Sequence, residues 1–456
     1  MLIVSFRGVD GRACVQNNGP MSNTGFVDAI TKHAGAGSVG VPELGTFAPL
    51  AGPTIAPDGT VLLGTREGKV IALHADGTPF WNRQLPTGQT ITSSPAVGSD
   101  GAAYVIGSSI IRDHRGGQSV TTGRGVLYRF TPGGGAPPSA VTEFPRHERG
   151  PTTIGPPNIW RFGSDEAIIV PALYPTVGGY DLHLLAFSPE GGLIADWQEY
   201  LSGGDVTSAG SWEALAERLG LGGFEHGMLG PPAAPPFPGV AIAASPQGGT
   251  PSIVLVDRYF QKTIAFTFCI GPSCSPAPGF TERFRTPHAP RVLLSPATIL
   301  PDMHSVVGTK NGVVFSGSNF SRAVDGLDAV YATPTIAGDG RVILVNVIGE
   351  TIALQGTTIV SRLRLQGETI ARAAASRNHV FLATTDAFYT LDAHAAAVEF
   401  RFPWVGGGAW SPAIGPQGHV YAMASNVLFV FPPPPRVPRM PHDLDVLGGS
   451  PAIGSG

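Results

Sequence analysis

The chain repeats itself, and the repeat decides what it can fold into. Thr333-Pro334-Thr335-Ile336-Ala337-Gly338-Asp339-Gly340-Arg341-Val342-Ile343-Leu344 reads as a short apolar strand, a tight turn and a second strand. The pattern returns as Ser411-Pro412-Ala413-Ile414-Gly415-Pro416-Gln417-Gly418-His419-Val420-Tyr421-Ala422. Asp-Gly between apolar runs is the strongest short-range hairpin signal, because glycine takes the positive φ that such turns require. The Ser/Thr-Pro pair fits a strand start, since proline has no N–H to give and holds the residue before it extended.

Repetition at a period of roughly 40–45 residues, with four strands per unit, is the signature of a β-propeller blade. The first blade runs from strand A at Gly52-Pro53-Thr54-Ile55-Ala56, through the Asp58-Gly59 turn, to a fourth strand carrying Phe80-Trp81. Later blades open at Ser94-Pro95, Thr152-Thr153, Val240, Ser295-Pro296, Thr333-Pro334, Arg372 and Ser411-Pro412. The expected fold is therefore all-β: one propeller of eight four-stranded blades, with seven as the alternative because the unit at Val240 is loose. Residues 1–45 read as an irregular segment lying on the propeller surface, and residues 46–456 as the ring. Ser450-Pro451-Ala452-Ile453-Gly454 is a further strand-A motif with no blade behind it, available to close the ring by pairing a terminal strand.

Composition agrees and excludes several functions. The 62 glycines and 43 prolines suit many short strands joined by tight turns, and 42% apolar residues in patterned runs exclude disorder. A formal net charge of −4 makes no electrostatic case for nucleic acid. No apolar run reaches the ~18 residues of a membrane-spanning helix, and Leu2-Ile3-Val4 before Ser5 and Arg7 falls short of a signal-peptide core. Of the three cysteines, Cys269 and Cys274 flank Ile270-Gly271-Pro272-Ser273 and either close a small loop, which would suit an oxidising compartment, or stand as two thiols.

Pro95 to Val105, followed by Gly125-Val126-Leu127-Tyr128-Arg129-Phe130, resembles the pyrroloquinoline-quinone-type propeller repeat. That resemblance covers residues 52 to about 435 and implies eight blades. The family includes quinoprotein dehydrogenases and a non-catalytic branch, notably the propeller lipoprotein of the outer-membrane β-barrel assembly machine. The catalytic branch carries a vicinal Cys-Cys pair, Cys-x-x-Cys-His haem motifs and calcium loops, and none stands in this sequence. His442-Asp443-Leu444-Asp445 is the nearest acidic cluster and reads as a solvated tail. Gly210-Ser211-Trp212 is no nucleophile elbow, and none of the 12 histidines forms a zinc-spaced set, so neither cofactor nor metal is expected.

Loop length is the most informative departure from the repeat. In an antiparallel blade the B–C and D–A connections leave one face, and A–B and C–D the other. Blade two gains Arg112-Asp113-His114-Arg115-Gly116-Gly117-Gln118 between B and C, and Arg146-His147-Glu148-Arg149 after D. Blade three gains Tyr174 to Tyr180, and its link onward holds a short helical stretch, Ser211-Trp212 to Leu219. All fall on one face. Arg112, His114, Arg115, His147, Arg149, Tyr174 and Trp212 are the candidate binding residues, a mix suited to a protein or peptide partner or a small polar ligand. The expectation is a non-enzymatic scaffold in an extracytoplasmic setting. A quinoprotein-like enzyme or its remnant, a hydrolase at the channel mouth, and a surface or filament subunit are the alternatives.

Overall fold

The computed structural model describes residues 6–7, 13–14, 39–41 and 52–431, the last without 92, 116–117, 134–136, 148–149, 152, 177–178, 203–238, 244–249, 258–260, 271–273, 275–277, 319, 405–409 and 425–426. Eight antiparallel sheets follow one another along the chain as propeller blades. In blade one the strands Thr54–Ile55, Val61–Gly64, Lys69–Leu73 and Pro79–Gln84 pair in sequence order. The loose unit at Val240 is a regular blade four, built from Gly239–Ala243, Ser252–Asp257, Lys262–Cys269 and Gly279–Pro287. In blades two and three the innermost position is shared by two short strands, which both pair with strand B.

Burial explains why the strands look as they do in sequence. The inner three strands of a blade are covered on both faces, so Val61–Gly64 is buried throughout and reads as a continuous apolar run. Outermost strands alternate instead, as in Thr358–Arg364. The core is accordingly split between blades. Val61, Leu63 and Ile71 pack toward blade eight with Met423 and Val430, whereas Leu62 and Val70 pack toward blade two with Val105 and Tyr128. Among the described residues each pair of neighbouring blades shares one such apolar cluster. Trp81 stacks on Phe130 of blade two at 5.9 Å, and Trp197 meets Phe266 of blade four edge-on at 4.9 Å, as expected for residues that close blades.

Hydrogen bonds from the repeat residues stitch the innermost strands. Thr54 Oγ1 donates to the Pro95 carbonyl at 2.7 Å, Thr298 Oγ1 to that of Pro334 at 2.5 Å, and Thr335 Oγ1 to that of Ala373 at 2.7 Å. The repeated Thr thus satisfies a backbone carbonyl of the next blade, and the repeated Ser accepts from an N–H of the preceding one, as Ser94 does from Gly52 and Ser411 from Arg372, in a buried place where water would otherwise be needed.

Closure comes from the N-terminal side. Val39–Val41 pairs antiparallel with Val427–Phe431, Val39 opposite Val430 and Val41 opposite Leu428, and completes the fourth strand of blade eight. Three residues of the segment set apart as irregular therefore belong to the ring: among the described residues blade eight has three strands of its own, and Val39–Val41 covers the edge of the last. The Ser450–Gly454 motif lies outside the described residues, as does the stretch from Ser211 to Leu219. Cys269 and Cys274 are joined by a disulfide at the C–D end of blade four. No helix among the described residues is long and apolar enough to cross a membrane.

Candidate functional site

The sequence reading expected loops on blades two and three, but the structure continues their strands. In blade two Ala103–Arg115 and Gln118–Phe130 pair residue by residue over their whole length, from Ala103 opposite Phe130 to Arg115 opposite Gln118. Each strand has 13 residues, against 4 and 5 in blade one. At about 3.3 Å per residue the surplus carries the hairpin roughly 25 Å beyond an ordinary blade. Blade three is lengthened in the same way through Asp165–Thr176, Gly179–Phe187 and Leu193–Ser202.

Arg112, His114 and Arg115 therefore stand on a β-ribbon, opposite Thr121, Ser119 and Gln118. The inserted residues keep the pairing because the polar run includes Val120, Thr121 and Thr122 on its return strand, residues that favour extended backbone. Arg149 and Trp212 lie outside the described residues. Tyr174 corrects its own assignment. Its sequence context places it in an exposed loop, yet it sits in a strand opposite Asp181 and is only 1% exposed. Its aromatic ring is part of the apolar cluster between blades two and three, which leaves no role for it as a surface anchor.

What the fold does bring together is His147, Tyr174 and two residues absent from the sequence-derived set, His183 and Asp196. Strand register sets three of them. His183 pairs with Ala172 and Gln198, and Asp196 pairs with Leu185, so Tyr174, His183 and Asp196 share the face of blade three that is turned toward blade two. His147 arrives from the link between these blades. There the Gly150 N–H donates to the Arg146 carbonyl at 2.6 Å and closes one turn around it. His147 takes φ of +38°, a region rarely used by non-glycine residues. Gly150 has φ of +67°, and a Cβ there would lie 2.1 Å from the Gly123 carbonyl oxygen, so the link is pressed onto blade two where only glycine fits.

The resulting contacts are close. His183 Nδ1 shares a hydrogen bond with Asp196 Oδ1 at 2.7 Å, and His147 Nε2 lies 3.4 Å from Asp196 Oδ2. The two imidazoles are 4.5 Å apart between centroids, and Tyr174 packs 4.6 Å from His147 and 4.4 Å from His183. Burial, with the Asp196 carboxylate adding to it, pushes the Tyr174 phenol far up, so the hydroxyl stays protonated. His147 and Asp196 are partly open to solvent while the His183 side chain is 1% exposed. Two imidazoles and a carboxylate in this arrangement can exchange protons or hold a cation. His183 was hidden in the apolar run Leu182-His183-Leu184-Leu185. A polar residue in a strand buried on both faces is the one signal that pointed to it.

Leu294, in the first strand of blade five, and Tyr331, Ile370 and Trp410, from the links into blades six, seven and eight, pack into one apolar cluster with Val347.

No family model matches the chain, and no curated protein matches it. Among solved structures it is similar to BamB from Moraxella catarrhalis, with 13% identity and a TM-score of 0.52 over 86% of this chain and 98% of that one. It also overlays on BBS1N, solved in complex with ARL6DN, with 10% identity and a TM-score of 0.44 over 87% of this chain and 96% of that one. The chain has a β-propeller fold. At these identities the likeness to BamB extends to the fold alone.

Proposed function

We propose that this propeller is a non-enzymatic binding scaffold whose lengthened ribbon on blade two receives an extended segment of a protein partner. One observation carries the reading. Among the described residues, strand A of blade two pairs with strand B only at Ala103, Tyr104, Gly107 and Ser108, and strand D pairs with strand C only at Val126 to Arg129. Beyond those points Ser109–Arg115 and Gln118–Arg124 pair, among the described residues, only with each other. The ribbon thus carries two backbone edges whose N–H and C=O groups are ready for an added strand. A two-stranded ribbon alone is marginally stable in water, and a third strand would relieve that.

Arg112, His114 and Arg115 give one strand of the ribbon a basic character that would favour acidic partner side chains and faster encounter. The resemblance of the repeat to the assembly-scaffold branch supports the same reading. The Cys269–Cys274 disulfide supports an extracytoplasmic location, where such a bond persists. The test is a shortened ribbon: residues 109–124 replaced by a two-residue Asn-Gly turn, which leaves the pairs from Ala103–Phe130 to Ser108–Gly125 in place. The variant should fold with unchanged melting and lose the partner co-purified with the intact chain from its native cells. Retention of that partner at full yield would reject the ribbon as the docking element.

A further inference from the structure

We propose that His147, His183 and Asp196 form a binding site for a divalent transition metal, best fitted to Zn(II), at the junction of blades two and three. The site is independent of whatever docks on the ribbon. One donor atom from each of the three residues can be chosen so that all lie within 4.8 Å of one another. Two imidazoles and one carboxylate are a donor set used by zinc, leaving a fourth position for water or another group. Donors bound about 2.0–2.2 Å from a tetrahedral ion stand about 3.4 Å apart. His147 Nε2 and Asp196 Oδ2 already have that separation, 3.4 Å.

The His183 Nδ1 to Asp196 Oδ1 distance, 2.7 Å, is that of a hydrogen bond. A cation can enter in two ways. It replaces the shared proton, which passes to solvent while the two atoms separate by under 1 Å. Or it binds Nε2, in which case the two imidazoles are the protein ligands and Asp196 orients the His183 ring through Nδ1, as a carboxylate orients many zinc-bound histidines. A second, separate observation favours a ligand here. His183 Nε2 and the Tyr174 hydroxyl are both buried, on side chains about 1% exposed, and neither has a hydrogen-bond partner among the described residues. A buried imidazole with one nitrogen unsatisfied is costly unless something completes it. His147 has an uncommon positive φ, and its ring lies 4.5 Å from that of His183.

The experiment uses the full chain, stripped with chelator and titrated with Co(II), then with Zn(II). One Co(II) per chain should bind with the strong visible absorption of a four-coordinate site, and Zn(II) should displace it. Zn(II) should also raise the melting temperature, as any ligand of the folded state does. His147→Ala is the first variant, because its side chain is 37% exposed and lies in a link, so folding is retained and checked by circular dichroism. It should weaken metal binding by at least about tenfold, as should Asp196→Asn. Wild-type protein without the Co(II) absorption would overturn the site. So would equal affinity in wild type, His147→Ala and Asp196→Asn.

Discussion

The Tyr421 hydroxyl donates to the Ala75 carbonyl oxygen at 2.8 Å, joining the last blade to the first across 346 residues of chain. Tyr104 holds the equivalent place in the repeat and reaches from blade two toward the Pro189 carbonyl of blade three at 3.5 Å. The tyrosine of the repeat is thus a tie between blades, and at Tyr421 it is one of the ties that close the ring. Tyr421→Phe should cost about 1 kcal/mol, and Tyr421→Ala about 3–5 kcal/mol because the ring is fully buried between Ile55, Val61 and Met423. Chemical denaturation of both variants checks the difference.

Ring closure has a second tie, Val39–Val41 on Val427–Phe431. Removing residues 1–41 should lower the melting temperature and expose a strand edge, so the shortened protein should self-associate at concentrations where the intact chain does not. Size-exclusion chromatography with light scattering reads this. An intact melting curve and a monomer peak would show that the strand contributes nothing.

Gly340 and Gly59 occupy equivalent turns with φ of +85° and +92°. A Cβ on Gly340 meets nothing within 4 Å, so Gly340→Val isolates the backbone penalty, about 1–3 kcal/mol. On Gly59 the added carbon would lie 2.7 Å from Gln417 Oε1 of blade eight, the movable end of a long side chain, so Gly59→Val should cost only slightly more. Equal melting of wild type and Gly340→Val would contradict the turn.

His288 is buried beside Thr263 and Ser321, and desolvation, helped by the Arg291 guanidinium, holds its pKa down to about 4. In the unfolded chain the imidazole titrates near the usual ~6.5. Between those values the unfolded state binds the extra proton, so the contribution of His288 is fully present above pH ~6.5 and is lost as pH falls toward 4. His379 and His419 are shifted the same way by burial, so the whole protein should lose stability in acid. His288→Gln should flatten the slope of melting temperature between pH 6.5 and 4 relative to wild type. An unchanged slope would remove His288 from the account.

Much of this was written in the sequence. Asp-Gly and Gln-Gly turns, Ser/Thr-Pro strand starts and apolar runs are local signals, and each blade is a local hairpin array, so blade number and strand order followed. The site was only half legible. His147 and Tyr174 stood out because they lie in enlarged segments, but Tyr174 was placed in a loop because Pro175 and Gly178-Gly179 read as loop residues, when the strand continues to Thr176. His183 and Asp196 are separated from His147 by 36 and 49 residues and met it only through strand register. Val39–Val41 went unread as a closing strand for the same reason. Pairing between chain ends leaves no local mark, and Ser450-Pro451-Ala452 looked more like a strand than Val39-Gly40-Val41.

Whether a partner binds the blade-two ribbon is tested most directly by a photo-crosslinking residue. Placed at Ser119, opposite His114 on the ribbon, it should yield one discrete adduct on illumination of the native cells. The same residue at Val360, 48% exposed on the outer strand of blade six, should yield none. An adduct from Val360 with none from Ser119 would put the partner elsewhere on the ring and contradict the claim.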